Sequence, residues 1–126
     1  MKAENIKFKA KRLDNGECII GSFVVMKIPA LSKTTIGIVA ADGATLHDID
    51  PSTVCQFTCL KDCEGKEIWE GDIVERVIYD PFKGSSKVKA VIEYLDGAFV
   101  AITDGIPYSL YFKYIKVVGN KFDKEK

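Results

Sequence analysis

The turn dipeptides Asn15-Gly16, Asp42-Gly43 and Asp96-Gly97 punctuate a chain in which no stretch carries the apolar period of a helix of ordinary length. Asn-Gly and Asp-Gly supply the positive φ values that tight hairpin turns require. Short antiparallel strands are therefore the architecture open to this chain. The clearest case is residues 88–95 and 98–103, two apolar-rich runs joined by Asp96-Gly97.

The same reasoning extends to both sides. Ile6, Phe8 and Ala10 alternate with Lys7, Lys9 and Lys11, the period of a half-buried strand with one lysine face. After Leu13-Asp14-Asn15-Gly16, residues 17–27 run back as the second strand of a hairpin, bent or bulged at Gly21 and Ser22. Residues 29–35 read as a loop and 36–40 as a short strand. Asp50-Pro51 ends this N-terminal region, because the residue before proline is pushed away from helix. From 54 to 60 both faces are apolar, which suits a central strand, and Gly65 lies in the turn at 61–66. Gly71-Asp72 leads into the β-branched run 73–79. Residues 83–87 read as a loop tip, 108–114 as a loop with one helical turn, 114–122 as the last strand and 123–126 as a charged tail. Alternation selects a core of Ile68, Ile73, Val77, Val91, Phe99, Ile115 and Val117. The expected fold is mostly β: an N-terminal hairpin region over 1–52 and a small β-barrel over 53–126.

Charge narrows the partners. Lys and Arg number 18 and Asp and Glu 18, so no whole-protein field draws the chain onto nucleic acid or an anionic membrane. No apolar run is long enough to span a bilayer, and the first residues lack the apolar core of a signal peptide. A cytoplasmic location is expected. It suits four cysteines held as free thiols.

The candidate chemistry is thin. Cys55, Cys59 and Cys63, with Cys18 or His47, resemble a metal set by spacing, but residues four apart on a strand lie roughly 13 Å apart, too far for one zinc or a disulfide. Asp62, Glu64, Glu67, Glu70 and Asp72 crowd one stretch that could suggest a Mg²⁺ site or an acid/base pair. The simpler role for Asp62 is to accept amide hydrogens in the 60–65 turn, and for Asp72 to pin the backbone after Gly71. His47 has no triad partner nearby, and no phosphate loop or nucleophile elbow is present. No enzyme activity, metal or cofactor is expected.

Two basic groups remain, Lys7, Lys9, Lys11 and Arg12 on the first hairpin and Lys83, Lys87 and Lys89 near Tyr79, Phe82 and Tyr94. The second group is a possible binding patch, since small barrels bind nucleic acid through basic, aromatic-bearing strands and loops.

One stretch is specific. Thr58, Leu60, Lys61, Asp62, Gly65, Ile68, Glu70, Gly71, Asp72, Ile73 and Val74, with Gln56-Phe57 before them and Val118-Gly119-Asn120 near the end, resemble the core motif of the YopX family. Residues 6–9, 11–17, Asp50-Pro51 and Thr53-Val54 agree in order. The resemblance implies a protein of a bacteriophage or prophage with no assigned activity, an SH3-like barrel as its C-terminal part and a variable N-terminal part. Cys55 and Cys59 stand where that family usually has glycine, and Cys18 where it often has tryptophan. Glycine at such places serves close backbone approach or positive φ.

The expected function is a non-enzymatic accessory module that binds a phage or host protein or itself. A dimer is expected through the N-terminal hairpin, where Phe23, Val24 and Val25 would lie on an exposed strand, or through the barrel edge. The alternative is a weak nucleic-acid binder using Lys83, Lys87, Lys89 and the nearby aromatics.

Overall fold

β-branched and aromatic residues between tight turns do form strands throughout. The computed structural model describes residues 2–40, 43, 45–110 and 114–123. Among these, the strands are β1 (Phe8–Lys11), β2 (Cys18–Ile28), β3 (Lys33–Ala40), β4 (Leu46–Asp48), β5 (Cys55–Lys61), β6 (Glu67–Trp69), β7 (Asp72–Asp80), β8 (Gly84–Leu95), β9 (Ala98–Thr103), β10 (Ile106–Ser109) and β11 (Ile115–Asn120). The only helices described are 3-10 turns of three residues each, and none is long and apolar enough to cross a membrane. The expected Asp42 side of the turn at 42–43, positions 111–113 of the expected loop and the tail from 124 lie outside the described residues.

The chain forms two compact units, Met1–Phe57 and Thr58–Lys126. In the first, the strand order is β4-β3-β2-β1-β5. The β1–β2 hairpin pairs Lys11 with Cys18 and Phe8 with Gly21, and Gly16 takes φ 71° in its turn. The core here is Ala10, Ile38 and Ile49, with Phe8, Ile19, Phe23, Ile36 and Val54 packed against it. Gly21 sits at the closest backbone approach: a Cβ built there would lie 1.9 Å from the Val39 carbonyl oxygen.

Two expectations for this unit need correction. The loop expected at 29–35 shrinks to Pro29–Leu31 and Ser32 in the left-handed conformation, φ 47°, so that β3 begins at Lys33. Consequently β2 is not an edge. Phe23, Val24 and Val25 pair with Ile38, Gly37 and Ile36 of the same chain.

β5 carries the chain into the second unit, where its later part neighbours β6; the remaining strands form a sheet in the order β10-β9-β8-β7-β11. The two antiparallel sheets are open at their ends, so the expected barrel over 53–126 is not closed. Asp104 and Gly105 take φ 51° and 77° and join β9 to β10 in a tight hairpin. Residues 108 and 109, expected within a loop, therefore belong to a strand that begins at Ile106. Pro107 is tolerated because β10 is at the sheet edge. The loop tip expected at 83–87 is shorter, since pairing already holds Asp80 to Gly84 and Val77 to Lys87.

The second core contains Ile68, Val74, Ala90, Ile92, Ala101, Ile115 and Val117, with Phe99 and Leu110 against it. Expected core positions Ile73 and Val91 are only half-buried, and Val77 is 46% exposed. The inward face of β7 is the other one, carrying Asp72, Val74 and Arg76. Two polar residues at inward positions disguise the buried face. A shift of one residue along a strand exchanges all its inward and outward side chains.

Candidate functional site

The specific stretch builds two hydrogen-bonded brackets around buried carboxylates. At the first, β5 ends and the chain reverses. The Asp62 amide donates to Lys66 O (2.7 Å) and Gly65 N donates to Asp62 O (3.0 Å), with Gly65 at φ 82°. Asp62 Oδ1 accepts from Glu64 N (2.9 Å) and Lys66 N (2.8 Å), and Oδ2 from Val117 N of β11 (3.0 Å). Cys63 N also donates to Ile115 O, at 3.0 Å. Burial pushes the Asp62 carboxyl upward, but the amide donors of Val117, Lys66 and Glu64, with the Lys66 charge, outweigh it and hold it below the usual carboxylate value. The bond to β11 spans 55 residues and was not foreseen from the turn alone.

The second bracket is centred on Asp72, which is 3% exposed. Its Oδ2 accepts from Trp69 N (2.7 Å), on the near side of Gly71 rather than after it, and its Oδ1 from Asn120 Nδ2 (2.9 Å). Gly71, at φ 83°, donates to Ile92 O (2.6 Å) and accepts from Lys121 N (2.9 Å). Asn120 Oδ1 accepts from Phe122 N (2.8 Å). Gly119 lies beside a register shift that follows Val117 in the β7–β11 pairing. Thr58 Oγ donates to Ile68 O (2.7 Å) and accepts from Leu60 N (3.2 Å). Ile68 and Val74 are core, Glu70 is half-buried and Leu60 is 44% exposed. These residues meet backbone groups and one another, an arrangement that holds strand ends together.

Between Thr58 and Leu60, Cys59 takes φ 69°. Left-handed backbone costs an L-residue about 1–2 kcal/mol, which gives the usual glycine of the resembling family a physical reason at this position. Cys55 has no such φ and is buried, its thiol donating to Thr53 O at 3.4 Å. All four cysteines are free thiols. Among the described residues no three His, Cys, Asp or Glu side chains gather as metal ligands. His47 of β4 is half-buried and lines a cleft of about 380 Å³ with Arg12, Leu13, Asp14, Leu46 and Asp48.

Five of the six residues of the possible binding patch share one arm and its base, and the sixth lies elsewhere. β11 follows β7 only as far as Arg76, paired with Ile115, and β9 pairs with β8 only from Val91 onward. Residues 77–80 and 84–87 thus pair only with each other among the described residues, as a two-stranded arm. Tyr79, Phe82, Lys83 and Lys87 lie on it and Lys89 at its base. Tyr94 stands at the far end of β8, in edge contact with Phe99 at 5.3 Å between ring centroids. Ten residues of strand, roughly 34 Å, separate it from Gly84.

The buried-carboxylate stretch lies inside a match to a family model described as YopX protein, which covers residues 7–125. The chain belongs to the YopX family. Both brackets and both units' sheets fall within the YopX match. No curated protein matches the chain.

Proposed function

We propose that this YopX family member is a non-enzymatic phage or prophage accessory protein of the host cytoplasm that works by binding a protein partner or a second copy of itself. One observation carries the reading. Beyond Gly21, β1 no longer accompanies β2, and β4 meets β3 only from Gly37, leaving residues 25–28 and 33–36 as a two-stranded ribbon among the described residues. It exposes Val25 (52%), Met26 (44%) and Leu31 (69%). Two strands alone are at best marginally stable in water, and this ribbon exposes apolar side chains on both faces, Val25 on one and Met26 on the other, surface that a binding partner would cover. The acids the chain concentrates at residues 62–72 support architecture rather than catalysis, because the described contacts of Asp62 and Asp72 are to backbone amides and Asn120.

Light scattering after gel filtration tests the self-association form. A dimer that dissociates on Val25→Lys with Leu31→Asp is expected. If the wild type is a monomer at every micromolar concentration, affinity capture from lysogenic host cells must give a partner that the double variant loses; failure of both rejects the reading.

A further inference from the structure

The second arm has a different chemistry from the first. Its tip is built to present one ring: Asp80 Oδ1 accepts from Phe82 N (2.8 Å) and Lys83 N (3.3 Å), and Pro81 has its φ fixed by its ring. Phe82 is 96% exposed. Because paired residues share a face of a β-ribbon, Tyr79 opposite Ser85, Val77 opposite Lys87 and Glu75 opposite Lys89 lie together. Tyr79 is 73% exposed. The lysines of the arm and its base are Lys83, Lys87 and Lys89; the acids are Asp80, engaged in holding the tip, and Glu75, 3.6 Å from Lys87 Nζ. That ion pair is long and its lysine end is exposed, so it holds the lysine only weakly. A net-neutral chain thus places an excess of positive charge beside two solvent-facing rings.

We infer that the β7–β8 arm binds single-stranded nucleic acid, with bases stacking on Phe82 and Tyr79 and phosphates meeting Lys83, Lys87 and Lys89. Charge complementarity favours a polyanion over an apolar protein groove. Exposed ring faces favour a single strand over a duplex, because unpaired bases offer free π-faces and stacking on them is tolerant of sequence. This goes beyond the protein-binding reading and uses a different arm, so each stands or falls without the other.

The test is fluorescence anisotropy of the full chain with a labelled oligothymidylate of about twenty nucleotides and an oligouridylate of the same length. Binding should weaken with salt, with a logarithmic slope of roughly −2 for three phosphate contacts. Phe82→Ala and Tyr79→Ala should each weaken it about tenfold with unchanged melting temperature, since both rings are largely in solvent. Lys87→Glu with Lys89→Glu should flatten the salt dependence. The inference is overturned by no binding up to about 100 µM protein at low salt, by binding that Phe82→Ala leaves intact, or by tighter binding of a blunt duplex. It is equally overturned if Phe82→Ala changes the mass in light scattering while oligonucleotide binding is untouched, which would assign the arm to protein contact.

Discussion

β7 begins and ends in opposite circumstances. At Asp72 it is flanked by β8 and β11, the residue is 3% exposed, and Trp69 and Asn120 hydrogen-bond to its carboxylate. Seven residues on, Tyr79 has only β8 beside it among the described residues and is 73% exposed. Both ends satisfy their backbone on the β8 side equally well. What separates them is the third strand, which brings a second row of backbone bonds and a covered face. The first unit repeats the contrast, with Gly21 packed against Val39 at the base of β2 and Val25 exposed farther along. Stability should therefore concentrate at the bases, leaving the arms free to carry surface chemistry.

The contrast breaks if the bases tolerate substitution. The largest effect is expected for Asp62→Ala, which strands three amide donors, two in the turn and one on β11. Charge-assisted bonds contribute about 1.5–3 kcal/mol each, and with partial access of water to the turn a loss of about 3–5 kcal/mol is expected in chemical denaturation. A loss under about 1 kcal/mol would make the bracket incidental. The same group predicts a pH effect. Its folded carboxyl lies below the unfolded value of 3.8, so its contribution is full above that pH and disappears as pH falls through the folded value. Wild type should lose stability below about pH 4 more steeply than Asp62→Asn.

Gly21→Ala should follow, at about 2–4 kcal/mol, because the clash is with backbone that cannot move without opening the β2–β3 pairing. A melting temperature within a degree or two of wild type would show that the first unit's base is looser than the second's.

The smallest effect has the opposite sign. Cys59→Gly removes about 1–2 kcal/mol of left-handed strain and returns about half of that through glycine's freer unfolded chain. A net gain of about 0.5–1 kcal/mol is expected, read as a higher denaturation midpoint with an unchanged slope. Destabilisation would mean the Cys59 side chain contributes more by packing than its backbone costs.

Much of the local structure was legible in the sequence because it depends on neighbours in the chain. Gly16 in its hairpin turn and Gly97, at φ 86°, after Asp96 follow from turn chemistry. Asp62 capping amides two and four residues ahead is equally local. The glycine preference at position 59 pointed toward the left-handed backbone found there, although cysteine occupies it. Contacts made over distance were out of reach: nothing near Asp62 announces Val117, and nothing near Asp72 announces Asn120.

The sequence by itself determined that this chain is made of short antiparallel strands, where most of them turn, and that its most specific stretch is a turn and a Gly-Asp step. Only the tertiary structure decided which face of β7 is inside, that β2 is covered by β3, that the sheets stay open and that Tyr94 is remote from Phe82. The physical reason is that alternation has a period of two without a sign. Asp72 and Arg76 occupy inward positions that apolar residues usually take, because Asn120 and the Trp69 amide meet the one and the Tyr108 ring, 3.9 Å away, meets the other. Which face a strand buries likewise belongs to its neighbours rather than to its own residues, so Val74 and Val77, alike in side chain and on opposite faces of β7, end at 0% and 46% exposed.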